Sequence, residues 1–457
     1  MLYIWGTSKD IALFKKKVSS IYNPFHLQRK AVETGFYKRS SKLLPSKFFD
    51  ILLYGASING SCSLNQASCE IAESYGISIS KQGLNDRYDA SAVAFVRSIF
   101  EEQLSRQIDG TIHADFLKKF SRARIKDSTR FDIPERLKDN FRGYGGKITS
   151  EAAACIQYEF DVKNGKILDI DFTSAKRNDY QDAREKADDI QKDDLVIRDL
   201  GYFSTDVIKR IIENEAFFIS RLHTKILAFT QEGKGISFSE LHRKMIKMNQ
   251  FHMEICVLIG KEEKVPVRLI IDIMPEEVYQ NRLQKAEKEC KKKGFQISEE
   301  YKARARFNLL ITNAPQDYIS GVQVYQLYRI RWQIELIFKI WKSTCGINKI
   351  HPMRYHRLMC FFYAKFIMIL INDQIINLLQ IGYYKKYGKL LSKDKCFKTL
   401  TIYFYKTRKA LLKSNQKLHK FLMSIWFMLS KNHELEKRKK SISYFEIFNI
   451  FICVSNK

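Results

Sequence analysis

Glu335 lies between two cations, Arg331 and Lys342, in the segment Tyr328-Arg329-Ile330-Arg331-Trp332-Gln333-Ile334-Glu335-Leu336-Ile337-Phe338-Lys339-Ile340-Trp341-Lys342. At about 100° per residue, a helix through this segment gathers Tyr328, Arg331, Glu335 and Lys342 into an arc of about 60°. Ile330, Ile334, Ile337, Phe338 and Trp341 cover the adjoining arc, so the polar line runs along the margin of a buried stripe. A surface row of ion pairs would have the same pattern. Two more carboxylates stand out upstream: Asp127, in the predicted short strand 123–129, and Asp199, which closes the apolar strand 194–199. Carboxylates are the hard oxygen ligands that Mg²⁺ and Mn²⁺ prefer. Phosphodiester cleavage and transfer build negative charge on an attacking and a leaving oxygen, and paired divalent ions stabilise both. Asp127, Asp199 and Glu335 are separated by 72 and 136 residues, so only a folded frame unites them. Three carboxylates that meet without a cation raise one another's pKa, so their convergence itself argues for one. Asp132, Asp161, Asp169 and Asp171 compete with Asp127 for the first position, and Asp193 and Asp194 compete with Asp199 for the second.

The elements that must position these groups are legible in the sequence texture. Strands are predicted at 123–129, 155–162 and 166–172, the last two joined by Asn164-Gly165, a strong hairpin signal. A polar helix over 179–191, the strand 194–199, a helix capped by Ser204 and a strand over 216–220 follow, which together predict a mixed α/β sheet. Paired strands at 253–259 and 265–273 and a charged helix over 276–293 interrupt this frame and are expected to form a mostly β insertion. The frame resumes with the strand 307–312 and a long helix over 322–343, and the chain beyond is helical and basic. Before the sheet, 44–109 reads as helical, with Ser63 and Ser80 as N-caps around Gly76. Lys81, Gln82, Asn85 and Arg87 on the short second helix would suit a helix-turn-helix contact with DNA, or ordinary helix packing.

The composition narrows the partners. The 457 residues exceed one ordinary core and imply several domains. A formal net charge of +28 points to a polyanion, nucleic acid before an anionic membrane. Residues 343–457 hold 22 Lys+Arg against 5 Asp+Glu, so +17 of that charge falls in the last quarter. Nine cysteines without a CxxC pair suggest neither disulfides nor a zinc site, and a reducing compartment, the cytoplasm, is expected. The N-terminus reads as no signal peptide. The longest apolar run, 358–371, is too short to span a bilayer comfortably and is read as a buried helix.

Tyr-x2-Arg-x3-Glu-x6-Lys, matched by Tyr328, Arg331, Glu335 and Lys342, resembles the signature of DDE transposases of the IS-four insertion-sequence family. Asp199-Leu200-Gly201-Tyr202-Phe203-Ser204 resembles that family's second-aspartate motif, 217–222 resembles the strand after it, and Asp127-Ser128-Thr129 matches the setting of the first aspartate. The resemblance covers about 44–342. It implies an α/β, ribonuclease-H-like (retroviral-integrase-like) catalytic domain with a mostly β insertion, flanked by helical N- and C-terminal regions. The corresponding segments are a helical DNA-binding region at 1–115, the core at 116–225 and 307–345, the insertion at 226–306, and a basic helical region at 346–457.

The implied activity is that of a bacterial insertion-sequence transposase. Such an enzyme binds double-stranded DNA at terminal inverted repeats, cleaves the element ends and joins their 3′-OH groups to target DNA. By resemblance Asp127, Asp199 and Glu335 hold two Mg²⁺ or Mn²⁺ ions, while Tyr328, Arg331 and Lys342 hold phosphates of the transposon end. A homodimer in the synaptic complex and a nucleoid-associated location are implied, with no membrane role. Some relatives with such an insertion cut the second strand through a DNA hairpin and stack a flipped base on a Trp in the insertion. Here Trp5, Trp332, Trp341 and Trp426 all lie outside 226–306, so that another aromatic, such as Phe229, Phe238 or Phe251, would have to take the Trp's place. The alternatives are a nuclease or resolvase on the same fold, which would cut without joining, and a non-catalytic DNA-binding protein derived from a transposase.

Overall fold

The structure, a computed structural model, describes residues 8–107, 115–145, 150–224, 226–411 and 415–436. The apolar start with Trp5, Cys453 and the rest of the basic tail from 437 lie outside the described residues. The chain opens with the helices α1 (Ser8–Tyr22), α2 (Pro24–Glu33), α3 (Pro45–Ser57), α4 (Leu64–Tyr75), α5 (Lys81–Asn85) and α6 (Ala90–Ser105). Ser63 and Ser80 cap α4 and α5 as predicted, Ser63 in a capping box with Gln66, and Gly76 at φ +62° ends α4.

Next come β1 (Arg122–Asp132), β2 (Ala153–Asp161), β3 (Lys166–Ser174), α7 (Asp179–Glu185), β4 (Asp194–Arg198), α8 (Thr205–Glu213) and β5 (Phe217–Arg221). The hairpin between β2 and β3 turns through 162–165 rather than through Asn164-Gly165 alone. Asp161 ends β2 early, because its carboxylate accepts from the backbone N–H groups of Ala123 and Lys163, each at 3.0 Å, and from the Asn164 amide.

The inserted segment corrects the expectation of a mostly β unit. It holds β6 (Ala228–Phe229), α9 (Phe238–Lys247), β7 (His252–Ile259), β8 (Val265–Ile273), α10 (Glu276–Lys293) and α11 (Glu299–Ala305), with more residues in helices than in strands. Ser237 and Ser298 cap the two short helices that the sequence reading missed. Its strands extend the main sheet through β9 (Phe307–Thr312), giving nine strands in the order β3-β2-β1-β4-β5-β9-β8-β7-β6. β1, β4 and β5 are parallel neighbours, and the other pairings are antiparallel.

Two apolar clusters cover the two faces, and strand alternation assigns each residue to one of them. Ala123, Ile125, Leu195, Ile197, Ile219, Ile270 and Leu310 face the first cluster. That cluster also takes in α12 (Gly321–Ile330), α13 (Trp332–Ser343) and α14 (Tyr355–Tyr387). Val196, Phe218, Leu269, Ile271 and Ile311 face the second, together with α8 and α9. On α12 and α13 the predicted stripe is buried at Ile330, Ile334, Phe338 and Trp341 and half-buried at Ile337, with Trp341 edge-on to Tyr158 of β2 at 5.0 Å between centroids. Burial of side chains this large contributes about 1.5–3 kcal/mol each, which holds the helix pair against the sheet.

The second face also carries a charged layer that was not foreseen. Arg124 pairs with Glu159 at 3.0 Å and with Asp194 at 3.1 Å, Lys126 pairs with Asp182 at 2.6 Å, and Arg198 lies 3.5 Å from Glu159. All six side chains are buried. Burial opposes ionisation of Glu159, but Arg124, Lys126 and Arg198 outweigh it and hold the carboxyl far below its usual range. Glu159→Ala takes its carboxylate from Arg198 and leaves Arg124 with Asp194 alone, and should destabilise the fold by about 3–5 kcal/mol, read as a lowered urea midpoint. An unchanged midpoint would show that the layer adds nothing to stability.

The apolar run expected to be too short for a bilayer belongs to the 33-residue α14. Residues 355–384 are long and apolar enough to cross a membrane by length and composition, yet 94% of the apolar 18-residue window within them is buried inside the protein. Lys365, in its middle, is fully buried and donates to the carbonyls of Ile58 and Cys345, bolting α14 to the loops after α3 and α13. Burial pushes its amine down to about 8. The chain continues with α15 (Lys393–Ile402), α16 (Phe404–Leu411) and α17 (Asn415–Asn432).

Candidate active site

Asp127 and Asp199 continue the rows of apolar residues that face α12 and α13. On β1 the row runs Ala123, Ile125, Asp127, and along β4 it runs Leu195, Ile197, Asp199. The last β1–β4 pair is Lys126 with Arg198, so the next residues on the two parallel strands are the two aspartates. They therefore stand side by side where β4 ends, the edge at which such sheets gather their sites. The two helices cross this edge and supply the third acid.

The predicted long helix is divided at Arg331, whose backbone stays right-handed helical (φ −47°, ψ −37°). The expected polar face therefore survives. Arg331 projects into the acids: its guanidinium is 2.8 Å from Asp127 Oδ2, 3.7 Å from Asp199 Oδ1 and 3.5 Å from Glu335 Oε1. The Tyr328 hydroxyl donates to Asp199 Oδ1 at 3.2 Å. Lys342 reaches past the acids and donates to the Arg130 carbonyl at 3.0 Å, with its amine lowered by burial. Arg221 stacks over the Tyr328 ring at 5.4 Å and was missed as a site residue, although it stands on the strand quoted above.

Burial pushes Asp127 up to about 6. The Ser128 N–H and Arg331 pull it down, and Asp199 and Glu335 raise it further. Burial also works against the Arg331 charge, but Asp199, Tyr328, Asp127 and Glu335 hold its pKa above the usual value. One guanidinium faces three carboxylates, and its Nε has no hydrogen-bond acceptor. The donor set, hard oxygens with excess negative charge, fits a divalent cation. Among the described residues, no group of three His, Cys, Asp or Glu side chains is placed to hold a metal ion; Asp127, Asp199 and Glu335 face the Arg331 guanidinium.

The rival aspartates have other partners. Asp161 caps its turn, Asp194 binds Arg122 and Arg124, Asp169 faces Lys186 at 3.5 Å, and Asp171 binds Arg177 at 2.9 Å. Asp132 is exposed at the far end of β1, and Asp193 lies before β4 at φ +60°.

The helix-turn-helix residues do not form one outward row. Lys81 and Gln82 are exposed, Asn85 and Arg87 are half-buried, and Arg87 donates to Ser41. Of the insertion aromatics, Phe238 is buried, Phe229 lies under Lys264, and Phe251 is exposed.

Comparison with known proteins gives a consistent picture. A family profile described as "Transposase DDE domain" matches residues 118–371. The transposase for insertion sequence element IS231B of Bacillus thuringiensis subsp. berliner is 29% identical over 458 residues, covering 96% of each chain. The IS231C transposase of the same organism is 30% identical over 79% of each chain, and the IS1151 transposase of Clostridium perfringens is 26% identical over 81% of each.

Proposed function

Because this chain belongs to the DDE transposases of insertion sequences, we propose that Asp127, Asp199 and Glu335 hold its divalent metal and that their neighbours grip the transposon end. The protein is a transposase, acting on DNA with divalent-metal dependence as its family does. The observation that carries the site is the gathering of three remote carboxylates, from β1, the end of β4 and α13, around one guanidinium. Two Mg²⁺ or Mn²⁺ ions held there supply charge stabilisation for the attacking and leaving oxygens.

The chain's own groups then have separate tasks. Asp127, the most buried of the three acids, fixes the site to the sheet, and Glu335 brings the helix to it. Tyr328 orients Asp199 through its hydroxyl. Arg331 exchanges its carboxylates for a phosphate of the bound end, where a planar fork suits two phosphate oxygens. Lys342 adds a point charge beside it. Lys81 and Gln82, with Asn85 and Arg87 behind them, contact DNA from the N-terminal helices.

The strand order, with β1 between antiparallel β2 and parallel β4, supports a ribonuclease-H-like core over 116–225 and 307–345. The insertion, 226–306, widens that sheet, and 1–115 and 346–457 serve as flanking DNA-facing regions. The synaptic complex is a homodimer assembled on terminal inverted repeats in the bacterial cytoplasm, at the nucleoid.

The test uses purified protein, a duplex carrying the repeat that flanks the gene, and a target plasmid. Cleavage at the repeat boundary and joining of the new 3′-OH are expected in Mg²⁺, and neither in EDTA. Cleavage without joining would favour a nuclease, and cleavage in EDTA would remove the metal site from the reading.

A further inference from the structure

We propose that Glu254, on the inserted strand β7, is a positioning residue for the helix pair that carries Arg331 and Glu335. The proposal rests on the site reading above and deepens it. Glu254 Oε1 accepts the backbone N–H of Gly321, the first residue of α12, at 3.0 Å. Its other oxygen pairs with Arg268 of β8 at 2.8 Å, and Arg268 also donates to the Ile319 carbonyl at 2.6 Å, just before the helix. His252 approaches Glu254 at 3.4 Å while pairing with Asp272 at 2.7 Å. β7 and β8 thus hold both the incoming chain and the first turn of the helix.

The register explains why this grip bears on the chemistry. Glu254 is opposite Ile270, Ile270 opposite Leu310, and Leu310 opposite Arg221. Arg221 follows Ile219 by two residues, as Asp199 follows Ile197, and Ile219 pairs with Ile197. Glu254, Arg221, Asp199 and Asp127 therefore form one level across one face of the sheet, and α12–α13 lies along it. At its start the helix pair is held by Glu254, in its middle it meets the acids, and beyond them Trp341 packs on Tyr158.

The local cap of α12 is already complete, because Ser320 and Gln323 form a capping box. Glu254 is a second anchor, from a strand remote in sequence, and its negative charge suits the positive end of the helix. Gly321 permits the approach: a Cβ there would lie 2.2 Å from Glu254 Oε1. Ten residues separate Gly321 from Arg331, roughly 15 Å at 1.5 Å per residue. A tilt of about 10° at the anchor would move the site by roughly 2–3 Å over that length. Misplacement by about 1 Å can cost on the order of 100-fold in rate.

The test compares Glu254→Ala, Glu254→Gln, Gly321→Ala and the Glu254→Ala/Gly321→Ala double variant in full-length protein. Single-turnover end cleavage in Mg²⁺, affinity for the end duplex and melting temperature are measured for each. Cleavage should fall about 10- to 100-fold in Glu254→Ala and in Gly321→Ala, with end affinity within about twofold of wild type. The double variant should be no slower than the slower single variant, because both remove one contact. Glu254→Gln keeps an acceptor for the Gly321 N–H and should recover most of the rate. A residue that only stabilised the sheet would lower the melting temperature and leave the rate of folded protein unchanged.

Wild-type rates in the folded single variants, or losses that multiply in the double variant, would overturn the proposal. If Glu254→Ala does not fold, Gly321→Ala decides by the same rate criterion. Glu335→Gln is run alongside. Cleavage by that variant would sink the site reading itself, whereas its inactivity beside normal Glu254 and Gly321 variants would sink only the anchor.

Discussion

Asp127→Asn, Asp199→Asn and Glu335→Gln are each expected to lower Mg²⁺-dependent end cleavage by on the order of 10³-fold or more, with end binding retained. Stabilisation of the two reacting oxygens by metal is worth several kcal/mol, and each 1.36 kcal/mol is about tenfold in rate. Removing one charged oxygen donor from a set of three forfeits much of that. Asp127→Asn should also show an opposite effect on stability. Its carboxyl has a folded pKa of about 6 against an ordinary 3.8, so the folded state holds a proton more tightly. The stability this provides is present below about pH 4 and is lost as pH rises through about 6. Above that, the buried carboxylate costs the metal-free protein up to roughly 3 kcal/mol. In EDTA at neutral pH, Asp127→Asn should therefore melt higher than wild type, and the difference should vanish near pH 4. An active Asp127→Asn variant with unchanged melting would remove Asp127 from the site and reopen the case for its rivals.

Arg331→Gln should separate two roles that the geometry assigns to one side chain. In the free protein its guanidinium neutralises the acids at 2.8 to 3.7 Å. A unit charge about 4 Å away is worth roughly 4 kcal/mol at an effective dielectric of 20. Its removal should therefore tighten Mn²⁺ binding by DNA-free protein at least about tenfold, a modest share of that energy because the side chain can swing aside. On the bound end the same variant loses a phosphate contact, so the slope of log affinity against log salt should flatten by about 1. Mn²⁺ titration and end binding across a salt series check the two halves. Unchanged Mn²⁺ affinity would mean that the guanidinium does not compete with metal, and an unchanged slope would place the phosphate contact elsewhere.

Much of this site was legible in the sequence because it depends on local periodicity. Asp127 was placed on the strand 123–129 and Asp199 at the end of the apolar strand 194–199, and helical spacing put Tyr328, Arg331 and Glu335 on one face. Ser63, Ser80 and Ser204 announced their helices through capping. Contacts between distant segments were not legible. The helical face gave no sign that Arg331 would turn into the acids, since the same wheel suits a phosphate outside or a carboxylate inside. The pairing of Arg124 with Glu159 followed a readable signal: Arg122, Arg124 and Lys126 alternate along β1, and Asp161 and Glu159 of β2 stand opposite Arg124 and Lys126. The helices α9 and α11 were missed because their burial comes from the sheet beneath them and their Ser caps were not weighed. Glu254 gave no signal at all, because its partner Gly321 is 67 residues away.

The central claim, that these three carboxylates are a divalent-metal site, is tested most directly by counting bound Mn²⁺. Electron paramagnetic resonance titration would follow the wild-type protein on its end duplex beside the Asp127→Asn/Asp199→Asn/Glu335→Gln triple variant on the same DNA. Saturable Mn²⁺ binding in the wild type, approaching two ions per active site, with loss of those ions in the triple variant, is the predicted result. Equal Mn²⁺ stoichiometry and affinity in the two proteins would contradict it.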